Sequence, residues 1–200
     1  MKSFYTTTQY ALIALAVFAV TAAARAQGTH AIAIDPQHSR MTVYVYKQGI
    51  FAFAADNHVV NAPIVSGSYD DTAKSVTISV DATKMMVLDP SMPASRRASV
   101  QANMVGSDVL DVAKYPTIKF RSTSIKAGAG GHLTVTGDLT LHGQTHSVTL
   151  DVTRSDSTHF TGSTMLRQTA FGITPIRIAG GTIKVKDDVK VEFAIALKAP

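Results

Sequence analysis

Apolar and polar residues alternate with a period of two along most of the chain. Met41, Val43 and Val45 alternate with Thr42, Tyr44 and Tyr46, and Val76, Ile78 and Val80 with Thr77, Ser79 and Asp81. Ile118 and Phe120 continue the pattern, as do Leu133, Val135, Leu139 and Leu141, and the run Val189, Val191, Phe193, Ile195 and Leu197. Successive side chains of a strand point to opposite faces, so this period predicts strands with one apolar and one wet face, the habit of antiparallel sheet. Many such segments at short spacing, separated by turn residues, predict a closed barrel or a sandwich.

The turn signals are Tyr69-Asp70-Asp71, the Gly128–Gly131 run "GAGG", and Asp187-Asp188, which is expected to open the last strand. One stretch departs from alternation. Ala94 to Val105 contains good helix formers, with Ser91 as its cap, Pro93 in its early turn and Gly106 at its end. One helix, or two short ones, is therefore expected in an excursion before Tyr115, with Val109, Leu110, Val112 and Tyr115 folding back over an opening.

Composition sharpens this picture. Glu192 is the only glutamate, which a mostly helical chain would seldom tolerate, whereas Thr, Val, Ser and Ile are plentiful. The N-terminal segment reads differently. Ala11 to Val20 is wholly apolar but shorter than the ~20 residues that span a bilayer, and Ala24-Arg25-Ala26 supplies small residues for cleavage. Residues 1–26 are expected to be a secretory signal peptide, and 27–200 a single exported domain, periplasmic or secreted. With no Cys there is neither a lipoprotein anchor through that residue nor a disulfide framework, so packing alone must hold the fold. The net charge of +5 is spread along the chain, which makes nucleic acid a poor partner and leaves transient contact with an anionic membrane surface open, as it does a homodimer.

The candidate chemistry centres on histidines. His142 and His146 stand four apart in "LHGQTH". On a helix that spacing could share a metal, but here it falls on a hairpin. Pairing Leu139 with Val148 and Leu141 with His146 matches the polarity of every pair and leaves Gly143-Gln144 as a tight turn. His142 is then a solvated turn residue and His146 closes one end of the apolar interior, with no metal between them. His38 in "DPQHS" reads as a turn cap, and His58 beside Asp56-Asn57 as a polar turn or, less simply, a metal or headgroup site. No serine elbow, phosphate loop or metalloprotease motif is present.

What does not reduce to turns is surplus apolar material in Phe51-Ala52-Phe53, Met85–Leu88 and Ala170–Ile173. It serves equally a packed core or an interior that holds an apolar ligand.

Four runs, "IDPQHSRMTVYV" from Ile34, "DVAKYPTIKFRST" from Asp111, "VTGDLTLHGQTHSVTL" from Val135 and "FGI" from Phe171, resemble the YceI-like family in order and spacing. The resemblance covers nearly all of the chain after residue 26. It implies an all-β, extended antiparallel lipocalin-like barrel, exported, in some members holding a long polyisoprenoid. On that reading the chain is not an enzyme and needs no cofactor; an isoprenoid lipid or quinone would be its bound molecule. Expected lining residues are Val43, Val45, Phe51, Phe53, Met85, Leu88, Ile118, Phe120, Leu139, Leu141, Phe171 and Ile173, with Arg96, Arg97 and His146 as headgroup candidates. A filled-core interaction protein of stress-related role and a metal-dependent enzyme are the alternatives.

Overall fold

The apolar faces expected from the alternation do line one interior. The structure, a computed structural model, describes residues 30–49 and 57–199. The expected signal peptide and the lining candidates Phe51 and Phe53 lie outside the described residues. Among the described residues twelve strands form one antiparallel sheet. In chain order they are β1 (Ala31–Ala33), β2 (Arg40–Gln48), β3 (His58–Asn61), β4 (Ile64–Asp70), β5 (Ser75–Asp81), β6 (Met86–Val87), β7 (Thr117–Ala127), β8 (His132–Leu141), β9 (Gln144–Arg154), β10 (His159–Arg167), β11 (Arg177–Ile178) and β12 (Ile183–Ala196).

The sheet runs β1-β4-β5-β7-β8-β9-β10-β12-β2-β3-β6, with β11 on β12. It curls back on itself. Ile34, just after β1, bridges to Leu197, just after β12, and the seam is sealed by Asp35 N–H to the Ala196 carbonyl (2.8 Å) and Lys198 N–H to the Ala33 carbonyl (2.8 Å). Ser39 stitches the same seam by accepting the Ala196 N–H at 2.9 Å. At this closed pole Tyr69 packs obliquely on Phe160 (ring centroids 5.3 Å) and donates its hydroxyl to Asp71 at 2.6 Å. Burial, then the Asp71 bond, pushes the Tyr69 phenol up to about 12, so it stays a neutral donor.

At the opposite pole β3 and β4 read as one strand bent at Ala62-Pro63, where proline cannot donate to a ladder. The two halves serve different neighbours: β4 pairs β1 and β5, β3 pairs β2 and β6. This opens the wall beyond β6, and the helical excursion fills it. Helix α1 spans Ala94–Val105, as expected, but Pro93 occupies the cap position with no side-chain bond, so Ser91 is not its cap. Gly106 ends it, its N–H reaching the Ala102 and Asn103 carbonyls. Leu110 then folds back into the core, with Val109 and Val112 packed against it.

None of the residues of α1 is fully buried, and only Val100 and Met104 pack against the core, so a polar contact that adds to this packing matters. Gln101 supplies it. Its Oε1 accepts the Val87 N–H and its Nε2 donates to the Met85 carbonyl, both at 2.8 Å, in the manner of a neighbouring strand on the edge β6. Gln101→Ala is expected to cost ~1–3 kcal/mol, since a donor and an acceptor lose their partners. Hydrogen exchange at Val87 checks this: it should accelerate in the variant while amides of β8 and β9 do not change.

Asp187-Asp188 does not open the last strand. Both residues lie inside β12, where the register with β2 shifts between Val185 and Val189. The bulge frees Asp187 to accept the Thr169 N–H (2.8 Å) and hydroxyl (2.6 Å), and Arg167 adds a bond at 3.3 Å. These partners, the Thr169 hydroxyl foremost, hold the Asp187 carboxyl below its usual range. They anchor the turn of residues 168–171, which carries Phe171.

Candidate binding interior and its mouth

Three cavities stack along the same inward-facing positions. The deepest, about 50 Å³, lies at the closed pole among Ile34, Tyr69, Val135, Phe160 and Leu197. The middle one, about 150 Å³, is walled by Met41, Val43, Val80, Met85, Ile118, Leu139, Leu141, Val189 and Val191. Ile78, Phe120, Leu150 and Phe193 belong to both walls and form the waist between them. The outermost, about 230 Å³, takes the next inward positions of the same strands: Val45 beyond Val43, Val60 beyond Ala62, Val87 beyond Met85, Val185 beyond Val189. Helix α1 covers it with Val100 and Met104. The interior therefore tapers from mouth to closed pole, and its volumes taken together fall in the ~300–1,000 Å³ range of small-molecule pockets.

Polarity rises only at the mouth. Lys47, His58, Arg96 and Lys184 line the outermost chamber beside Tyr46, Asn103 and Gln168. His58 is not a solvated turn residue. Its Nδ1 donates to Asp89 at 2.6 Å; Asp89 is 6% exposed and also accepts the Val59 N–H at 2.8 Å. The buried carboxylate thus fixes the imidazole against the chamber.

The expected lining residues divide accordingly. Val43, Met85, Ile118, Phe120, Leu139 and Leu141 stand in the middle wall and Val45 in the outer one. Leu88 does not. Met85 and Val87 point inward, so Met86 and Leu88 must point outward, and Leu88 is 43% exposed. Phe171 and Ile173 are buried in the core but line none of these three cavities. Of the headgroup candidates, Arg96 lines the mouth. Arg97 instead donates to the Asp89 and Met92 carbonyls at the start of α1. His146 is exposed, with its ring edge-on to Phe171 at 5.3 Å. Lys47, His58 and Lys184, from β2, β3 and β12, come together only through folding. Of the three, only His58 stands out in the sequence, as a headgroup candidate beside Asp56-Asn57.

The histidine pair lies on a hairpin, but two residues out of the expected register. Leu139 opposes His146, Leu141 opposes Gln144, and the turn is His142-Gly143. Both turn residues have positive φ, 50° and 73°, which makes the favoured primed turn. A slip of two preserves inside and outside, so polarity could not distinguish the registers. Contacts decide it. His142 donates Nδ1 to the Phe171 carbonyl at 3.1 Å and stacks edge-on against Tyr115 at 4.9 Å, while a side chain at Gly143 would strike that tyrosine ring. His142 is therefore a docked, half-buried residue and not a solvated one. His38 caps its turn through Asp35 at 2.7 Å. Among the described residues no three His, Cys, Asp or Glu side chains gather as metal ligands.

A curled antiparallel sheet around a tapered apolar interior, with a helix across its mouth, defines a lipocalin-like barrel of the kind that encloses ligands. The YceI-like domain matches residues 33–197, and the chain belongs to that family. A UPF0312 protein of Pseudomonas putida is 36% identical over 108 residues, 49% of this chain and 55% of that protein, so the chain spans about half the length of that relative. Two solved structures share the fold at a TM-score of 0.59 each. Burkholderia cenocepacia BcnA is 19% identical, covering 83% of this chain and 99% of its own. A Saccharophagus degradans domain, described as polyisoprenoid binding and implicated in plant cell wall breakdown, is 14% identical, covering 86% and 99%.

Proposed function

We propose that this protein is an exported carrier, not an enzyme, that holds a polyisoprenoid or related long apolar lipid in its barrel. The observation that carries the reading is the apolar lining maintained from the closed pole to the mouth. Each CH₂ moved from water into such an interior contributes ~0.8 kcal/mol, so a long tail binds tightly with few polar contacts. Soft Met41 and Met85 in the middle wall allow the width to adapt to branched methyls. The polyisoprenoid-binding description of the Saccharophagus degradans domain supports the ligand class. Export rests on the apolar Ala11–Val20 run and the Ala24-Arg25-Ala26 step, and places the carrier in the periplasm or outside the cell.

Organic extraction of the purified protein followed by mass spectrometry tests this. A stoichiometric isoprenoid or quinone is the expected result. A clean protein that also fails to take up added polyprenol would overturn the carrier reading in favour of a filled core.

A further inference from the structure

The outer rim of the mouth combines two features that an anionic bilayer matches together. The first is apolar. Met86 (57% exposed) and Leu88 (43%) are two of the large hydrophobic residues left outward on the described surface; Met86 lies on the edge strand β6 and Leu88 directly follows it, on either side of the inward Val87 that lines the mouth chamber. Leu88 is fixed there by its N–H bond to the Val59 carbonyl, next to His58. The second is cationic: Lys47, Arg96 and Lys184 line the same chamber. A polyanion would not need the exposed apolar pair, and a neutral apolar partner would not need the charges. An anionic bilayer satisfies both, attracting Lys and Arg to its surface and taking in Leu and Met just beneath it.

We infer that the mouth face, with Leu88 and Met86 at its leading edge, docks on an anionic phospholipid bilayer. Docking would set the opening of the apolar interior against a phase in which apolar chains dissolve, so a ligand need not cross water to enter. It goes beyond the carrier reading and is read out separately from it.

The chain has no cysteine, so a single introduced thiol can be labelled without ambiguity. The full chain carrying Leu88→Cys is labelled with a polarity-sensitive fluorophore and mixed with vesicles of phosphatidylcholine alone or with added phosphatidylglycerol. A second chain carries Met165→Cys, an exposed position on the outer wall of β10. Because the readout is local to each label, a contribution from residues 1–29 does not mimic it. The label at 88 is expected to shift to the blue and to be quenched by nitroxide lipid with the anionic vesicles only, while the label at 165 stays in water. Adding Arg96→Gln and Lys184→Gln should weaken the vesicle affinity about fivefold per charge removed. A label at 88 that stays in water, equal responses at 88 and 165, or equal responses to neutral and anionic vesicles would overturn the inference. A chain that docks yet takes up no polyprenol would uphold docking and overturn only the carrier reading.

Discussion

Phe171→Ala is expected to lower the stability of the barrel by ~3–5 kcal/mol, the range for deleting a fully buried aromatic ring. Phe171 is 2% exposed, on a turn that is held on three sides. Asp187 ties the turn to the bulge of β12, His142 donates to the Phe171 carbonyl, and the His146 ring meets the Phe171 ring edge-on. With its backbone fixed in this way, the turn cannot collapse into the vacated space, and the cavity remains. Lys126→Ala is the control: an exposed residue of β7, away from this turn, whose removal should change stability by no more than ~0.5 kcal/mol. Urea denaturation of both variants measures this, and a loss below ~1 kcal/mol for Phe171→Ala would show that the turn is free to relax.

The second large effect concerns the ligand. Val43 stands at the middle chamber just below the mouth position Val45. Val43→Trp should fill much of the passage between the two chambers and bar a chain from the deeper interior. Excluding only two methylenes would cost ~1.6 kcal/mol, already more than tenfold in affinity, and a barred isoprene unit is larger. Overpacking should cost ~1–3 kcal/mol in stability, which thermal unfolding would register separately. The informative comparison is a long polyprenol against geraniol. The long chain should lose affinity steeply and the short alcohol, held in the outer chamber, should not. A folded variant that binds the long chain as well as the unaltered protein does would place the ligand somewhere other than along this axis.

Both predictions depend on features of different legibility. The inward row of β12, from Val189 to Ile195, can be read directly from the alternation because burial on one face imposes a period of two. The same holds for β2, β7 and β8, whereas the helix at Ala94–Val105 is legible as a break in the alternation filled with helix formers and closed by Gly106. Parity is all that alternation supplies. It could not distinguish hairpin registers two residues apart, and that difference puts His142 in the turn and on the Phe171 carbonyl. In the run Met85-Met86-Val87-Leu88 every residue is apolar, so the pattern carries no phase, and Leu88 was expected inside where Val87 belongs. The mouth is least legible of all. Lys47, His58 and Lys184 sit on three strands whose ends meet through sheet order, and Asp89 acquires its role only by being buried beneath His58.

The seam between Ile34 and Leu197 bears on how the protein folds. These partners stand near opposite ends of the described chain, and their pairing must overcome the loop-closure entropy of nearly everything between them. The β7-β8 and β8-β9 hairpins involve neighbours in sequence and can form early. A topology of this kind folds on the scale of ~milliseconds to seconds, far slower than a helical bundle. Until β1 reaches the end of β12, the nascent sheet keeps an unsealed edge there and an uncovered apolar face, the state most exposed to self-association. Completion of the seam is thus the step that converts a sticky, open ribbon into a curled vessel sealed at one pole.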